Sequence, residues 1–158
     1  RGPCWSLMEL SQFDEVADAL RGLVPRELGQ LRYRARRFGI KVWFEDETPP
    51  REHYEAQVIS RDHVVEATVV ALEVGFHAEH PQEADNDAVA AHLLAAERQW
   101  RPEIGDEAII GAFIGRPSWR RLSETWPDPD LDAADLALEV AARLTDYIIA
   151  IEPIRRTH

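Results

Sequence analysis

The stretch IKVWFEDETPPREHYEAQVIS, residues 40–60, alternates apolar and polar side chains on either side of a turn. Ile40, Val42 and Phe44 fall on one side, with Lys41, Trp43 and Glu45 on the other. Tyr54, Ala56 and Val58 repeat the pattern after TPPR, a tetrapeptide that makes turns because proline presets φ. A two-residue period is that of a half-buried strand. Pairing Phe44 with Tyr54, Val42 with Ala56 and Ile40 with Val58 brings all six apolar residues to one face. The stretch therefore predicts an antiparallel hairpin.

Moving outward, a second turn at Arg61–Asp62 pairs Val58 with Val65, Ala56 with Ala67 and Tyr54 with Val69, extending the hairpin to a meander. The phase then changes. Odd positions are apolar before residue 69, and Val70, Leu72, Val74 and Phe76 are apolar after it. A bulge near Val69–Ala71 would reconcile the two. Lys41, Glu45, His53, Glu55, Gln57, Glu66 and Thr68 make up the opposite face, expected to be wet. Past the bulge, Glu73, Gly75 and His77 point away from the core.

Helical spacing covers the rest. Leu10, Phe13, Val16, Ala17 and Leu20 make one stripe over 9–23, with Ser11 as an N-cap. A second helical piece, 26–37, starts after Pro25 and ends at Gly39. A third helix follows an Asp85 or Asn86 cap, buries Val89, Leu93, Ala96 and Trp100, and stops at Pro102 and Gly105. Strands are expected at 107–115 and 118–126. A last helix over about 132–152 carries Leu136, Val140, Leu144, Tyr147, Ile148 and Ile151 and ends at Pro153. The expectation is an α+β fold in the order α-α-β-β-β-α-β-β-α, with an antiparallel sheet of about five strands and helices packed on one face. Residues 1–8 are read as a tail or added remnant, with Met8 a candidate start, and 9–154 as a single domain.

Composition bounds the function. The chain has 158 residues, is 30% charged and carries a net charge of −11. Such a molecule repels a phosphate backbone at long range, which disfavours nucleic acid. The lone cysteine, Cys4, excludes a disulfide framework and a multi-cysteine zinc site. No run of apolar residues is long enough to span a membrane. The expected location is the cytoplasm. The basic residues are all arginine except Lys41, which points to a GC-rich coding sequence and a bacterial source.

Charge is uneven, because PRELGQLRYRARR (25–37) holds five arginines and one acid. Arg32, Arg34, Arg36 and Arg37, with Trp43 and Glu55 on the sheet's outer face, are the candidate binding residues. Glu73, His77 and His80, around the sequence HAEH with Glu79, are the candidate metal ligands, since imidazole and carboxylate suit zinc or iron. The spacing fits a solvated strand end running into a helix cap better, and no metal or cofactor is expected. Asp128, Asp130, Asp132 and Glu139 match calcium-loop spacing, but Ala133 stands where that loop needs glycine. No Gly-x-Ser-x-Gly elbow and no phosphate-binding glycine loop is present.

Residues 66–154, through LEVGFH, ERQWRPEIG, WRRLSE and the terminal IEPI, resemble an uncharacterised bacterial domain often found C-terminal to restriction-nuclease-like domains. That family brings no catalytic residues to carry over. The element order is also similar to that of type III secretion chaperones, which implies a small acidic homodimer without enzymatic activity. The favoured expectation is accordingly a non-enzymatic, self-associating protein-binding module. An accessory domain of nucleic-acid processing or defence and a metal-dependent hydrolase using Glu73, His77 and His80 are the alternatives.

Overall fold

The structure, a computed structural model, describes residues 2–157, with side chains from residue 12 onward. Helix α1 (Gly2–Leu23) is followed by strands β1 (Arg32–Arg36), β2 (Gly39–Trp43), β3 (Glu52–Ser60) and β4 (Val70–Ala78). Helices α2 (Glu83–Ala95) and α3 (Glu97–Ile104), strands β5 (Ile109–Phe113) and β6 (Arg116–Pro127), and helix α4 (Leu136–Arg155) complete the chain. All strand pairs are antiparallel, in the spatial order β1-β2-β3-β4-β6-β5. The α+β class stands, with six strands.

The sixth strand comes from the segment expected to be helical. Residues 26–28 form a single 3-10 turn, and Arg32–Arg36 extends as β1 against β2. Arginine is a good helix former, and Leu28, Leu31 and Ala35 imitate a helical stripe. The edge of β2 offers unpaired backbone groups, however, and that tertiary pairing overrides local propensity.

Helices cover one face of the sheet. Ile40, Val42, Tyr54, Ala56, Leu72, Val74, Phe76 and Leu122 point into a core shared with Phe13, Val16, Ala17 and Leu20 of α1 and Leu144, Tyr147, Ile148 and Ile151 of α4. Charged groups tie α4 to this face at two points. Tyr54 donates its hydroxyl to Glu152 (2.8 Å), which Arg155 and Arg156 also hold. Glu124 accepts from Arg143, Tyr147 and Trp126. Pro153 lies inside α4, whose helix runs on to Arg155. Ser11 lies inside α1, not ahead of it.

The hairpin keeps its predicted faces but not its register. Ile40 pairs with Ala56 and Val42 with Tyr54, a shift of two residues that leaves every side chain on its side. The β3–β4 pairing differs more: Val58 faces Leu72, Ala56 faces Val74, and Tyr54 faces Phe76. No bulge at 69–71 is needed, because residues 61–69 leave the ladder as a loop that opens with a 3-10 turn. Asp128 anchors its end, accepting from the backbone N–H groups of Thr68 and Val69 and from the Thr68 hydroxyl. The acids of 128–132 thus serve the loop and its own turn, where Asp130 accepts from the Asp132 N–H.

The third helix is also divided. It breaks at Ala96 into α2 and α3, and Trp100 donates its indole N–H to the Leu93 carbonyl across the break. Asn86 is not the cap. It lies buried within α2, accepting from the His80 N–H and donating to the His80 and Ser118 carbonyls. No helix among the described residues is long and apolar enough to cross a membrane.

Candidate metal centre

The face opposite the helices follows from strand parity. Odd residues of β3 and β4 point there: His53, Glu55 and Gln57 from one, Glu73, Gly75 and His77 from the other. The β3–β4 register sets His53 directly across from His77, Glu55 across from Gly75, and Gln57 across from Glu73. Glu79 continues past the end of β4, its N–H donating to the Arg51 carbonyl. Each strand thus carries the tripeptide His-x-Glu, and antiparallel pairing places the two acids on either side of the histidine pair.

This face was expected to be wet at His53, Glu55, Glu73 and His77. It is dry: all four are buried, and His77 and Glu73 have no exposed surface. The tip of the β5–β6 hairpin closes over them. Phe113 packs edge-on against the His77 ring, with centroids 4.7 Å apart, and against Trp119. His63 of the 61–69 loop lies by Gly115 of the same tip. Gly75 makes the close approach between β4 and β6 possible. A Cβ there would stand 2.5 Å from the Leu122 carbonyl and from Ser123.

Four ligand-type atoms converge in this pocket. His53 Nε2 lies 2.9 Å from Glu55 Oε1 and 3.4 Å from Glu79 Oε2. His77 Nδ1 lies 2.9 Å from the same Glu55 oxygen and 3.3 Å from the same Glu79 oxygen. Nitrogen and oxygen alternate around a quadrilateral, and all four atoms lie within 4.8 Å of one another. Ligands about 2.1 Å from a shared tetrahedral ion stand about 3.4 Å apart, so the separations match those of a coordination shell.

His53 Nε2 donates to Glu55 (2.9 Å), and the two histidines differ in their bonding. His77 Nδ1 makes no well-directed hydrogen bond, although it faces the Glu55 and Glu79 carboxylates at 2.9 and 3.3 Å. Its other nitrogen, Nε2, donates to Glu73 (2.9 Å). With Nε2 committed to Glu73, Nδ1 is the nitrogen that would turn a lone pair toward an ion once its proton is lost. Glu73 is itself oriented by Gln57 and Ser123, at 2.8 and 2.7 Å. A carboxylate holding the far nitrogen of an imidazole is the usual support of a metal-ligating histidine.

Electrostatics reinforces the geometry. Burial alone would lower the pKa of His77, but the charges of Glu73 and Glu55 overcome it and push the pKa well above the usual histidine value. His53 is raised in the same way, against burial, by Glu55 and Glu79. Burial would raise Glu55; the two imidazoles bring it down to about 2. Glu79 also falls well below the carboxylate range, held against burial by both histidines. Three carboxylates around two imidazoles favour about two positive charges, which the two imidazolium protons supply; a divalent cation would take the place of those protons.

The sequence candidates divide across this geometry. Glu73 and His77 both belong to the cluster, bonded to each other through His77 Nε2. His80 does not: three residues from His77, it points to the other face and pairs with Glu52 at 2.7 Å. Glu55 stands at the centre of the cluster, 2.9 Å from both imidazoles. Trp43, expected to be exposed, is buried, and its indole nitrogen has no partner. Arg32 lies opposite Trp43 in the strand register and reaches Asp46 at 3.7 Å. Arg34 and Arg36 lie on the same face, exposed, and Arg37 covers the Phe38 ring. Glu79 had been grouped with His77 and His80, whereas His53 had been read only as wet surface. The repeated His-x-Glu on two strand segments was the signal for both. Comparison with known proteins adds nothing here: no family model, no curated protein and no solved structure matches the chain.

Proposed function

We propose that the chain binds one divalent transition-metal ion and acts as a metal-dependent hydrolase. The observation that carries this reading is the alternating quadrilateral of His53 Nε2, Glu55 Oε1, His77 Nδ1 and Glu79 Oε2. Two imidazoles and two carboxylates suit zinc, manganese, iron(II) or cobalt and are too nitrogen-rich for calcium or magnesium. We take His53, His77 and Glu55 as the ligands, since one Glu55 oxygen lies 2.9 Å from both imidazoles. Glu79 stands farther off, with its second oxygen 3.5 Å from Lys41 Nζ, and would serve as the base for a water activated at such an ion. Hydrolysis needs no second cofactor: the hydroxide adds to a carbonyl or phosphoryl centre, and the departing group recovers the proton.

The test is metal content and affinity of the full chain purified without chelator. One ion per chain is expected, lost in His53→Ala and in His77→Ala and retained in His80→Ala. No stoichiometric binding of zinc, manganese, iron(II) or cobalt at micromolar concentration would overturn the reading. The non-enzymatic homodimer expected from composition loses the helical surface assigned to it, since residues 26–37 form a turn and an edge strand.

A further inference from the structure

An open depression of about 410 Å³ adjoins the metal centre. It is lined by Arg34, Arg36, Lys41, Gln57 and the ligand Glu55, with Phe38 at its rim. Register explains how the cations gather: Arg34 pairs with Lys41, and Lys41 pairs with Glu55. One row across three strands therefore runs from guanidinium to ammonium to metal ligand.

Two features of this row call for an anion. Like charges directly opposed on neighbouring strands repel, and Arg34 and Lys41 are such a pair. Arg34 and Arg36 also make no ion pair among the described residues, in a chain with 29 acids against 18 basic residues. Most other arginines are engaged, as Arg120 is with Glu83 and Asp87, Arg143 with Glu124, and Arg155 with Glu45. Among the described residues Lys41 pairs with Glu79, on the side of the proposed metal centre.

We infer that this depression is the substrate pocket, and that it takes a small molecule whose carboxylate or phosphate sits between Arg34, Arg36 and Lys41 while its reacting group lies at the metal. The inference rests on the metal-centre reading above. The volume is that of a small-ligand site. Guanidinium groups match both oxyanions bidentately. A nucleic-acid strand is disfavoured by the net charge of −11.

The experiment uses the full chain loaded with cobalt(II), measuring metal stoichiometry and the visible spectrum of the ion on the same samples. Inorganic phosphate and succinate are the probes, and the better of the two identifies the oxyanion. Binding that perturbs the cobalt spectrum is expected in the wild type. It should weaken at least tenfold in the doubly substituted Arg34→Gln, Arg36→Gln chain and be unchanged in Arg26→Gln, with cobalt stoichiometric throughout. Both arginines are exposed, so the substitutions leave the core untouched. Stoichiometric cobalt with anion binding that is absent, or indifferent to Arg34 and Arg36, overturns the pocket and leaves the centre standing. Failure to retain cobalt overturns the centre itself.

Discussion

On the proposed metal-centre reading Glu73 would act on the ion through His77, so its replacement separates support from ligation. Glu73→Gln keeps the shape but weakens the acceptor for the His77 Nε2–H. Metal affinity should fall by roughly 10- to 100-fold, as is typical for such outer partners, measured by competition with a chromophoric chelator. His80→Ala should leave affinity unchanged. Gly75 tests the backbone approach: Gly75→Ala pushes a methyl into the Leu122 carbonyl and Ser123. A loss of roughly 1–3 kcal/mol or more is expected in urea denaturation. A drop of a few tenths would mean that β4 and β6 can separate at no cost. Much of this was legible at the level of single residues. Alternation alone assigned His53, Glu55, Glu73 and His77 to one face. Their contact was not legible, because it depends on which residue of β3 meets which residue of β4.

That register was hidden by the loop at 61–69. Val65, Ala67 and Val69 alternate as strand residues do, yet Val65 and Val69 are 98% and 75% exposed. Period two without burial is no strand. Asp128 decides the matter by gathering the N–H groups of Thr68 and Val69, which caps the loop where β4 begins. In Asp128→Ala the amide protons of Thr68 and Val69 should exchange faster, while those of Val74 and Phe76 in the middle of β4 keep their protection. Equal exchange before and after would remove the anchor role. At this scale the hairpin faces, β5, β6 and the buried stripe of α4 were readable from periodicity. β1 was not, since an arginine-rich segment becomes a strand only where another strand's edge accepts it.

The whole molecule is a sheet with two differently charged sides. On the helix side Glu124 is held by Arg143, Tyr147 and Trp126, which together pull its pKa below the carboxylate range although burial raises it. A carboxylate lowered on folding contributes stability above its unfolded pKa, near 4.5, and loses it as pH falls through the lower folded value. Glu124→Gln should therefore melt below the wild type at pH 7, with the gap closing as the pH drops below about 4.5. A constant gap would mean that the network acts by shape and not by charge. On the other side, an ion that binds only the folded chain raises stability with its concentration, by about 2.7 kcal/mol at 100-fold above its dissociation constant. Chelator should lower the melting temperature of the wild type and not that of His77→Ala. One further consequence lies in Lys41, which is the only lysine in the chain. An amine-directed label has this single side chain to modify, so the depression beside Glu55 carries a built-in reporter whose reaction rate reads its occupancy.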